Sequence, residues 1–474
     1  MSKIILADIK GKNGFVNKDT IVGGFGARFK AFSITTLWLE WVRRAYQNIP
    51  SIQMSLLASI FKEAGHEVIF TDGPVPEGDV AIILSSLVDY KNERYWARKF
   101  KEKNRHGKTG FIGLCATHLP HLFSSAADFI IKGEPESACM ELACSEKFSG
   151  IIESEEIMDL DSLPFSDWEI FNKTKNALPG TMKSISKVIP MVSSRSCPEM
   201  CSYCPHRIGG SYRLQSIDRV IKEIKRNYRL FGSHYIIFRD SNFTGKKDRV
   251  EEFMKELERL KLDIYFEIET RLDTMDIPLL ERLKKLGLKR MTFGVESIDE
   301  EAMKELGRRP VSDEHQRNMI KHCWKTGIQT QAFYIFGYLK DTVKNIVETT
   351  RYSLELDTTL ASYKVLTPFP GTKFYEEIRD KIFEHDWEKF DGLNLTFHHP
   401  GISNEEMKFL LEHAYARFFA RPSQYFRYRG NYGKYGQYKD LSDLADTWAH
   451  GKHDELMIKS LKKSNMWKED FLWR

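Results

Sequence analysis

The sequence predicts an α/β protein in three parts: a doubly wound, Rossmann-like domain over 1–145, a partial (β/α)6 barrel over 187–384, and a helical, aromatic-rich cap over 385–474. A connector at 146–186 joins the first two. Two blocks in which short β-type runs alternate with helical periodicity carry this prediction, because such alternation builds parallel sheets. The third observation is the switch, after about residue 385, to helical stripes and clustered rings.

In the first block the strand candidates are Lys3–Ile9, Glu67–Asp72, Val80–Ser85, Thr109–Leu114 and Asp128–Lys132. Met54–Gly65 places Leu56, Leu57, Ile60, Phe61 and Ala64 on one helical face before Gly65 ends the helix. The runs VAIIL and DFII suit strands covered on both faces, as in a doubly wound sheet. Ligands of such folds bind at the carboxyl ends of the strands: here the loop after Ile9, the segment after Ser85 and the loop Cys115–Phe123. The connector is acidic (Glu153, Glu155, Glu156, Asp159, Asp161) and then rich in turn formers, Pro164 and Pro179-Gly180.

The second block has strand candidates Val188–Ser193, His234–Arg239, Leu262–Glu269, Arg290–Glu296, Gln331–Phe336 and Ala361–Thr367, with five helical patterns between them. Ile217, Val220, Ile221, Ile224 and Tyr228 form the clearest stripe; Val250, Phe253, Met254, Leu257 and Leu260 form another. Six such units predict an open barrel, with chemistry at the strand C-termini. In the cap, Met407, Leu410, Leu411, Ala414, Tyr415 and Phe418 mark a helix over Glu405–Phe419. The basic aromatic run that follows (Tyr425, Phe426, Arg427, Tyr428, Arg429, Tyr432, Lys434, Tyr435, Tyr438) has the composition of a single-strand stacking platform. Rings packed on the barrel with wet cations explain it as well, and are the expected arrangement.

Composition excludes several classes. Of 474 residues, 42% are hydrophobic and 29% charged, enough for a large core and against disorder. A net charge of +5 spread over that length implies no nucleic-acid partner. No run approaches the ~18 apolar residues of a membrane span, and the N-terminus MSKIILADIK reads as a strand rather than a signal peptide. Seven cysteines, an odd number without an export signal, suit a reducing cytoplasm.

The segment that carries chemistry is Ser194-Arg-Ser-Cys197-Pro-Glu-Met-Cys201-Ser-Tyr-Cys204-Pro-His206. It follows the first barrel strand, and its short loop is able to aim three sulfurs at one place. A complete 4Fe–4S site takes four thiolates; three leave one iron open to bind a substrate. Zinc held by the three cysteines and His206 is an alternative, as are three unligated core cysteines.

With its CxxxCxxC motif so placed, the chain resembles the radical S-adenosylmethionine (SAM) superfamily. Further likenesses follow in order: Tyr203 at the position of an aromatic beside the SAM adenine, Phe238-Arg-Asp240-Ser-Asn242-Phe243, Glu269-Thr-Arg271-Leu-Asp273, Gly294-Val-Glu296-Ser297, Tyr334-Ile-Phe-Gly337, and Pro368-Phe-Pro370-Gly371-Thr372. The resemblance implies Cys197, Cys201 and Cys204 as cluster ligands, with the open iron chelating SAM. A zwitterionic, polyhydroxylated ligand needs a cation for its carboxylate and acceptors for its ribose; Arg271 and Glu296 are the candidates, with Asp240 and Asn242 weaker ones. A strand-end turn or a structural ion pair explains these four residues as well.

The N-terminal block is similar to the cobalamin-binding domain fused before many radical SAM barrels. Pro50–Ala58, Ala64–Val68, Leu84–Leu87 and Lys132-Gly133-Glu134-Pro135-Glu136 carry that likeness, and Arg421-Pro422-Ser423 resembles the tail of the subfamily. It departs from the Asp-x-His-x-x-Gly loop of many such domains: Asp8-Ile-Lys10-Gly11 and Val22-Gly23-Gly24-Phe25-Gly26 stand there, without a histidine to ligate cobalt. His118 is expected to line the cleft as a hydrogen-bonding residue. Cys115, Cys139, Cys144 and Cys323 are expected to be buried helical cysteines.

The resemblance implies a cytoplasmic enzyme that takes a 4Fe–4S cluster, SAM and cobalamin, an electron donor such as flavodoxin or ferredoxin, and a small-molecule substrate. In that reading one SAM methylates cobalt, a second yields a 5′-deoxyadenosyl radical, and methylcobalamin delivers the methyl group to a substrate carbon. Radical cyclisation, rearrangement or oxidation without methyl transfer is the alternative, and a non-catalytic iron–sulfur sensor is the alternative of another class. No catalytic acid, base or hydrogen donor is identified.

Overall fold

The computed structural model describes residues 1–19, 23–31, 34–46, 49–171 and 188–421. The N-terminal part begins with β1 (Lys3–Ala7), the hairpin β2 (Phe15–Asp19) and β3 (Gly23–Phe29), and helices α1 (Ile34–Tyr46) and α2 (Ile52–Glu63). It continues through β4 (Glu67–Thr71), β5 (Val80–Leu84), α3 (Tyr90–Lys103), β6 (Lys108–Ile112), α4 (Leu114–His118), β7 (Phe129–Lys132), α5 (Glu136–Ser145) and β8 (Gly150–Glu153). Its sheet has the order β4-β1-β5-β6-β7-β8, every pair parallel. All five residues of β5 are buried, as a strand with helices on both faces requires. α2 starts where Ser51 accepts from the Met54 N–H, and Gly65, with φ +88°, turns the chain from its end into β4.

Two departures from the sequence reading stand out. The glycine-rich run read as a loop is strand β3, paired with β2, because alternating Val16 and Phe15, Phe25 and Phe29 have buried surfaces to satisfy. Part of the acidic stretch read as connector is β8, a sixth parallel strand that shields the edge of β7.

The second sheet is formed by β9 (Val188–Met191), β12 (Tyr235–Phe238), β13 (Tyr265–Thr270), β14 (Leu288–Glu296), β15 (Gln329–Phe336) and β16 (Leu360–Val365), in sequence order and all parallel. β10 (Ser194–Arg195) and β11 (Arg213–Leu214) make a small antiparallel pair beside it. Its helices are α6 (Ile217–Phe231), α7 (Lys247–Leu260), α8 (Ile277–Lys285), α9 (Glu300–Glu305), α10 (Asp313–Thr326), α11 (Val343–Leu356) and α12 (Lys373–Ile378). This is the open six-unit barrel expected from the sequence.

α13 (Asn404–Phe419) opens with a capping box between Ser403 and Glu406. It packs on α11, β16 and α1, where the Tyr415 hydroxyl donates to the Tyr363 carbonyl at 2.9 Å. The aromatic run Tyr425–Tyr438 lies outside the described residues. Cys115, Cys139 and Cys323 are buried in helices as expected, whereas Cys144, in the last turn of α5, is exposed. Among the described residues no helix is long and apolar enough to cross a membrane.

Candidate active site

The cysteine loop is held from several sides. Within it, the Ser196 hydroxyl donates to the His206 carbonyl at 3.0 Å, Arg207 Nη1 to the Cys197 carbonyl at 2.9 Å, and the Cys204 N–H to the Cys201 carbonyl at 3.2 Å. From outside, the Ser202 N–H donates to the Leu306 carbonyl at 2.8 Å and the Phe374 N–H to the Ser202 carbonyl at 3.1 Å. Gly307, with φ +73°, lies so close that a Cβ there would stand 2.7 Å from the Met200 carbonyl oxygen. Loops after β14 and β16 therefore clamp the middle of the motif.

Cys197, Cys201 and Cys204 line one cavity together with Tyr203, Arg271 and Glu296. Burial pushes the Cys197 thiol up, and that of Cys204 up to about 12, so their thiolates would need a bound cation to stabilise them. Among the described residues, no three His, Cys, Asp or Glu side chains converge at the distances one ion requires. In a 4Fe–4S cluster each thiolate would bind a different iron, a role open to the three cysteines that line this cavity.

Arg271 presents a prepared donor. Its Nε and Nη2 hold Asp273 at 2.9 and 2.8 Å, and Nη2 also donates to the Arg309 carbonyl at 3.0 Å. Its Nη1 is buried and has no hydrogen-bond partner among the described residues. A fixed guanidinium with one idle edge is suited to a carboxylate.

Glu296 stands where β14 slips register against β15, in a left-handed conformation of φ +69° that costs a non-glycine residue about 1–3 kcal/mol. Arg308 meets its carboxylate at 3.2 Å, while burial, opposed by Arg308 and Arg271, raises its pKa. A side chain at Gly294 would collide with both partners, so that glycine makes the room they share. Tyr203 crosses Tyr338 edge-on at 6.2 Å beside this pair.

Asp240 and Asn242 are not among the cavity's lining residues. Asp240 is buried, accepting from the Ser193 N–H and from the hydroxyls of Ser193 (2.7 Å) and Ser194 (2.6 Å), and so fixes the exit of β9. Asn242 accepts from Thr270 at 3.1 Å. Ser241, between them, faces the cavity.

Two further cavities adjoin this one. The first lies at the junction of the sheets, between Gly24-Phe25-Gly26 of the hairpin and Arg195, His206 and Phe369 of the barrel side; it shares His206 with the cysteine cavity. Phe25 stacks on Phe369 with centroids 5.2 Å apart. His118 is not in this cleft's lining: its ring packs against Gly371 and Phe25, and burial lowers its pKa. Below the hairpin, Lys18 is fully enclosed at the carboxyl ends of β1 and β5. There it donates to the Leu84 carbonyl at 2.8 Å and pairs with Glu93 at 2.9 Å and Asp8 at 3.6 Å. The second cavity occupies the barrel interior and shares Glu269 and Phe333 with the cysteine cavity, and Asn17, Ala27 and Arg239 with the junction cleft. Arg239 and Glu269, 3.3 Å apart, thus sit where the three spaces meet.

Several residues escaped the sequence reading. Arg308 comes from the Gly-Arg-Arg-Pro turn after α9, a loop on the catalytic face of the barrel. Arg195, two residues before Cys197, is gripped by Glu134 at 2.7 Å and Glu136 at 2.6 Å, the two carboxylates of the Gly-Glu-Pro-Glu motif, and Arg213 also pairs with Glu134. That motif was visible in sequence; its partner was not.

The family model described as the radical SAM superfamily matches residues 191–353. The bacteriochlorophyllide d C-12(1)-methyltransferase of Chlorobaculum tepidum is 25% identical over 339 residues, covering 69% of this chain and 72% of that protein. The cobalamin-dependent S-adenosylmethionine radical enzyme OxsB, solved with aqua-cobalamin and S-adenosylmethionine bound, is similar with a TM-score of 0.63 and 13% identity over 98% of this chain and 76% of that one. The radical SAM methyltransferase TsrM from Kitasatospora setae, solved with tryptophan and a SAM analogue, gives a TM-score of 0.57 and 13% identity over 80% of this chain and 76% of that one. At such identities the structural likeness is one of fold.

Proposed function

The chain belongs to the radical SAM superfamily, and on that premise we propose that it is a cobalamin-dependent methyltransferase acting on a carbon of a small molecule. The observation that carries this reading is the meeting of three cavities at Arg239 and Glu269: one with three cysteines, one at the domain junction, one inside the barrel. Methyl transfer of this kind needs three reactants brought together without water, and three joined compartments supply that. The cofactors supply the hard chemistry when bound: an electron from the cluster to break a carbon–sulfur bond of SAM, and a methyl group carried on cobalt.

The chain's own residues bind and orient. Cys197, Cys201 and Cys204 would hold the cluster; the idle Nη1 of Arg271 would receive the SAM carboxylate; Glu296, held by Arg308, would accept from ribose hydroxyls; Tyr203, backed by the buried Tyr338, would wall the adenine. The junction cleft, bordered by Gly24, Phe25 and Gly26 and by Arg195, His206 and Phe369, is the space cobalamin would take, and Gly26, φ +78°, lets the hairpin approach Ser86 and Val88.

The test is anaerobic purification with cobalamin supplied, followed by iron, cobalt and 5′-deoxyadenosine assays under reductant. Uptake of cobalamin together with SAM cleavage is expected. Cleavage without cobalamin would remove methyl transfer and leave another radical reaction; no cleavage at all would leave a sensor.

A further inference from the structure

The barrel chamber contains more cation than its own carboxylates neutralise. Four cationic side chains line it, Arg43, Arg239, Arg290 and Lys364, against two acids, Glu267 and Glu269. Each acid has its arginine: Arg239 lies 3.3 Å from Glu269, and Arg290 lies 3.1 Å from Glu267. Arg43 and Lys364 remain. The Arg43 guanidinium stacks over the Phe29 ring at 4.2 Å and has no ion pair among the described residues. Lys364 reaches only a backbone acceptor, the Asp391 carbonyl at 3.4 Å. The carboxylate of Asp391 is committed to the Leu393 N–H at 2.8 Å and the Asn394 amide at 3.0 Å.

Lys364 is enclosed and Arg43 half-buried beside it, and neither forms an ion pair among the described residues; Asp391 attracts Lys364 only from a distance, so holding the two cations here opposes folding. The strain is visible at Lys364, whose ammonium is pushed down to about 8 by enclosure and by the neighbouring charge of Arg43. The local chain nonetheless holds the ammonium in place. Gly392, at φ +75°, packs so tightly on the lysine stem that a Cβ would stand 3.0 Å from its Cδ, and the Val365 N–H donates to the Gly392 carbonyl at 2.8 Å. The rest of the wall is mixed, with apolar Phe29, Phe238, Ile268 and Phe333 beside polar Asn17, Thr292, Gln331 and Ser362.

We propose that Arg43 and Lys364 form an oxyanion subsite of the barrel chamber, so that the substrate is a molecule bearing a carboxylate or phosphate. This deepens the proposed function and rests on its assignment of the chamber to substrate. A ligand anion would complete the charge balance as Glu267 and Glu269 do for the two arginines. It would be anchored in the same chamber as Glu269 and Phe333, which border the cysteine cavity.

Binding without turnover tests it. The fluorescent sulfonate 8-anilinonaphthalene-1-sulfonate and its neutral counterpart N-phenyl-1-naphthylamine are titrated into the holoenzyme, then displaced with inorganic phosphate or succinate. Wild type is expected to prefer the sulfonate. Lys364→Met and Arg43→Gln should each weaken it about tenfold, Lys364→Arg should retain it, and the neutral probe should be indifferent to all three. Displacement by phosphate alone or by succinate alone identifies the oxyanion. Displacement by neither, equal affinity for the neutral probe, or an unchanged double variant overturns the subsite. Iron content and 5′-deoxyadenosine formation, measured on the same preparations, report separately on the cluster, so a failed subsite and a failed radical SAM reading give different results.

Discussion

The molecule builds the same object twice and uses it differently. Both sheets have six parallel strands with helices between, yet the first is filled and the second is hollow. In the first, β5 is buried at every residue, and the space at the strand ends is plugged by the hairpin and the Lys18–Glu93–Asp8 cluster. In the second, curvature turns one face inward. On β13, Glu267 and Glu269 line the chamber and Arg271 follows the strand's end; on β14, Arg290, Thr292, Gly294 and Glu296 alternate with buried Met291, Phe293 and Val295. A parallel strand packed on both faces reads as continuous apolar sequence; one whose alternate residues carry charge has a chamber on that side. The hydrophobic pattern therefore reports whether a parallel sheet stores a cavity.

If the hollow sheet alone does chemistry, its cysteines and those of the filled sheet must differ most sharply. Cys201→Ala is expected to lower 5′-deoxyadenosine formation on the order of a thousandfold or more, since no other side chain replaces a cluster ligand. Cys139→Ala, in the first part's core, is expected to leave SAM cleavage per bound cluster unchanged and to lower only stability. Equal losses in the two would break the comparison.

The joint between the sheets comes next. Glu134 and Glu136 reach from the β7–α5 turn to Arg195, so the filled sheet holds the strand that leads into the cysteine loop. Arg195→Met strands the almost wholly enclosed carboxylate of Glu136, while Glu134 keeps Arg213, a loss of about 3–5 kcal/mol for a buried pair deprived of one partner. The expected outcome is a thermal midpoint lower by several degrees, with reduced cluster loading. A midpoint unchanged from wild type would show the two sheets to be held by apolar contact alone.

How much of this was legible in sequence depends on how local the signal was. Five of the six strands of the first sheet, the six of the second, the stripe Ile217–Tyr228 and the cysteine motif were, because periodicity and spacing are properties of short windows. The β2–β3 hairpin was not: Gly23-Gly24-Phe25-Gly26 has poor strand propensity, and its pairing is sustained by burying Phe25 and Phe29 against distant elements. β8 was hidden because only Ile151 and Ile152 break an acidic stretch, and an edge strand needs no more. Arg271 and Glu296, singled out in sequence, line the cysteine cavity, but their partners Asp273, Arg309 and Arg308 are set by tertiary approach. Asp240 has the right motif and a different task, closing the first strand, which no one-dimensional pattern separates from ligand binding.

Within the hollow sheet, Arg271 and its idle Nη1 give a smaller effect than the cysteines. Arg271→Met is expected to raise the KM for SAM some 10–100-fold, the loss of about one charge-assisted hydrogen bond, with a lesser change in kcat. A change in kcat alone would assign Arg271 to positioning the Glu199 and Asp273 turn rather than to SAM.

Lys364 gives the smallest effect and the opposite sign. Its ammonium titrates near 8 in the folded protein against 10.5 for an ordinary lysine. Between those values the unfolded chain carries more protons, so stability rises with pH across that window, and below about 8 the full penalty is in force. Lys364→Met removes the penalty. At neutral pH it is expected to stabilise the protein, on the order of 2 kcal/mol, with the gain fading as pH approaches 10.5. Urea midpoints taken across that range measure it. A buried side chain of the filled sheet behaves otherwise: Leu57→Ala is expected to cost about 2–5 kcal/mol with no such pH dependence. A residue whose removal strengthens the fold is one the fold retains for another reason, whereas a Lys364→Met variant that unfolded as easily as Leu57→Ala would make the ammonium a strut and the chamber wall no different from a core.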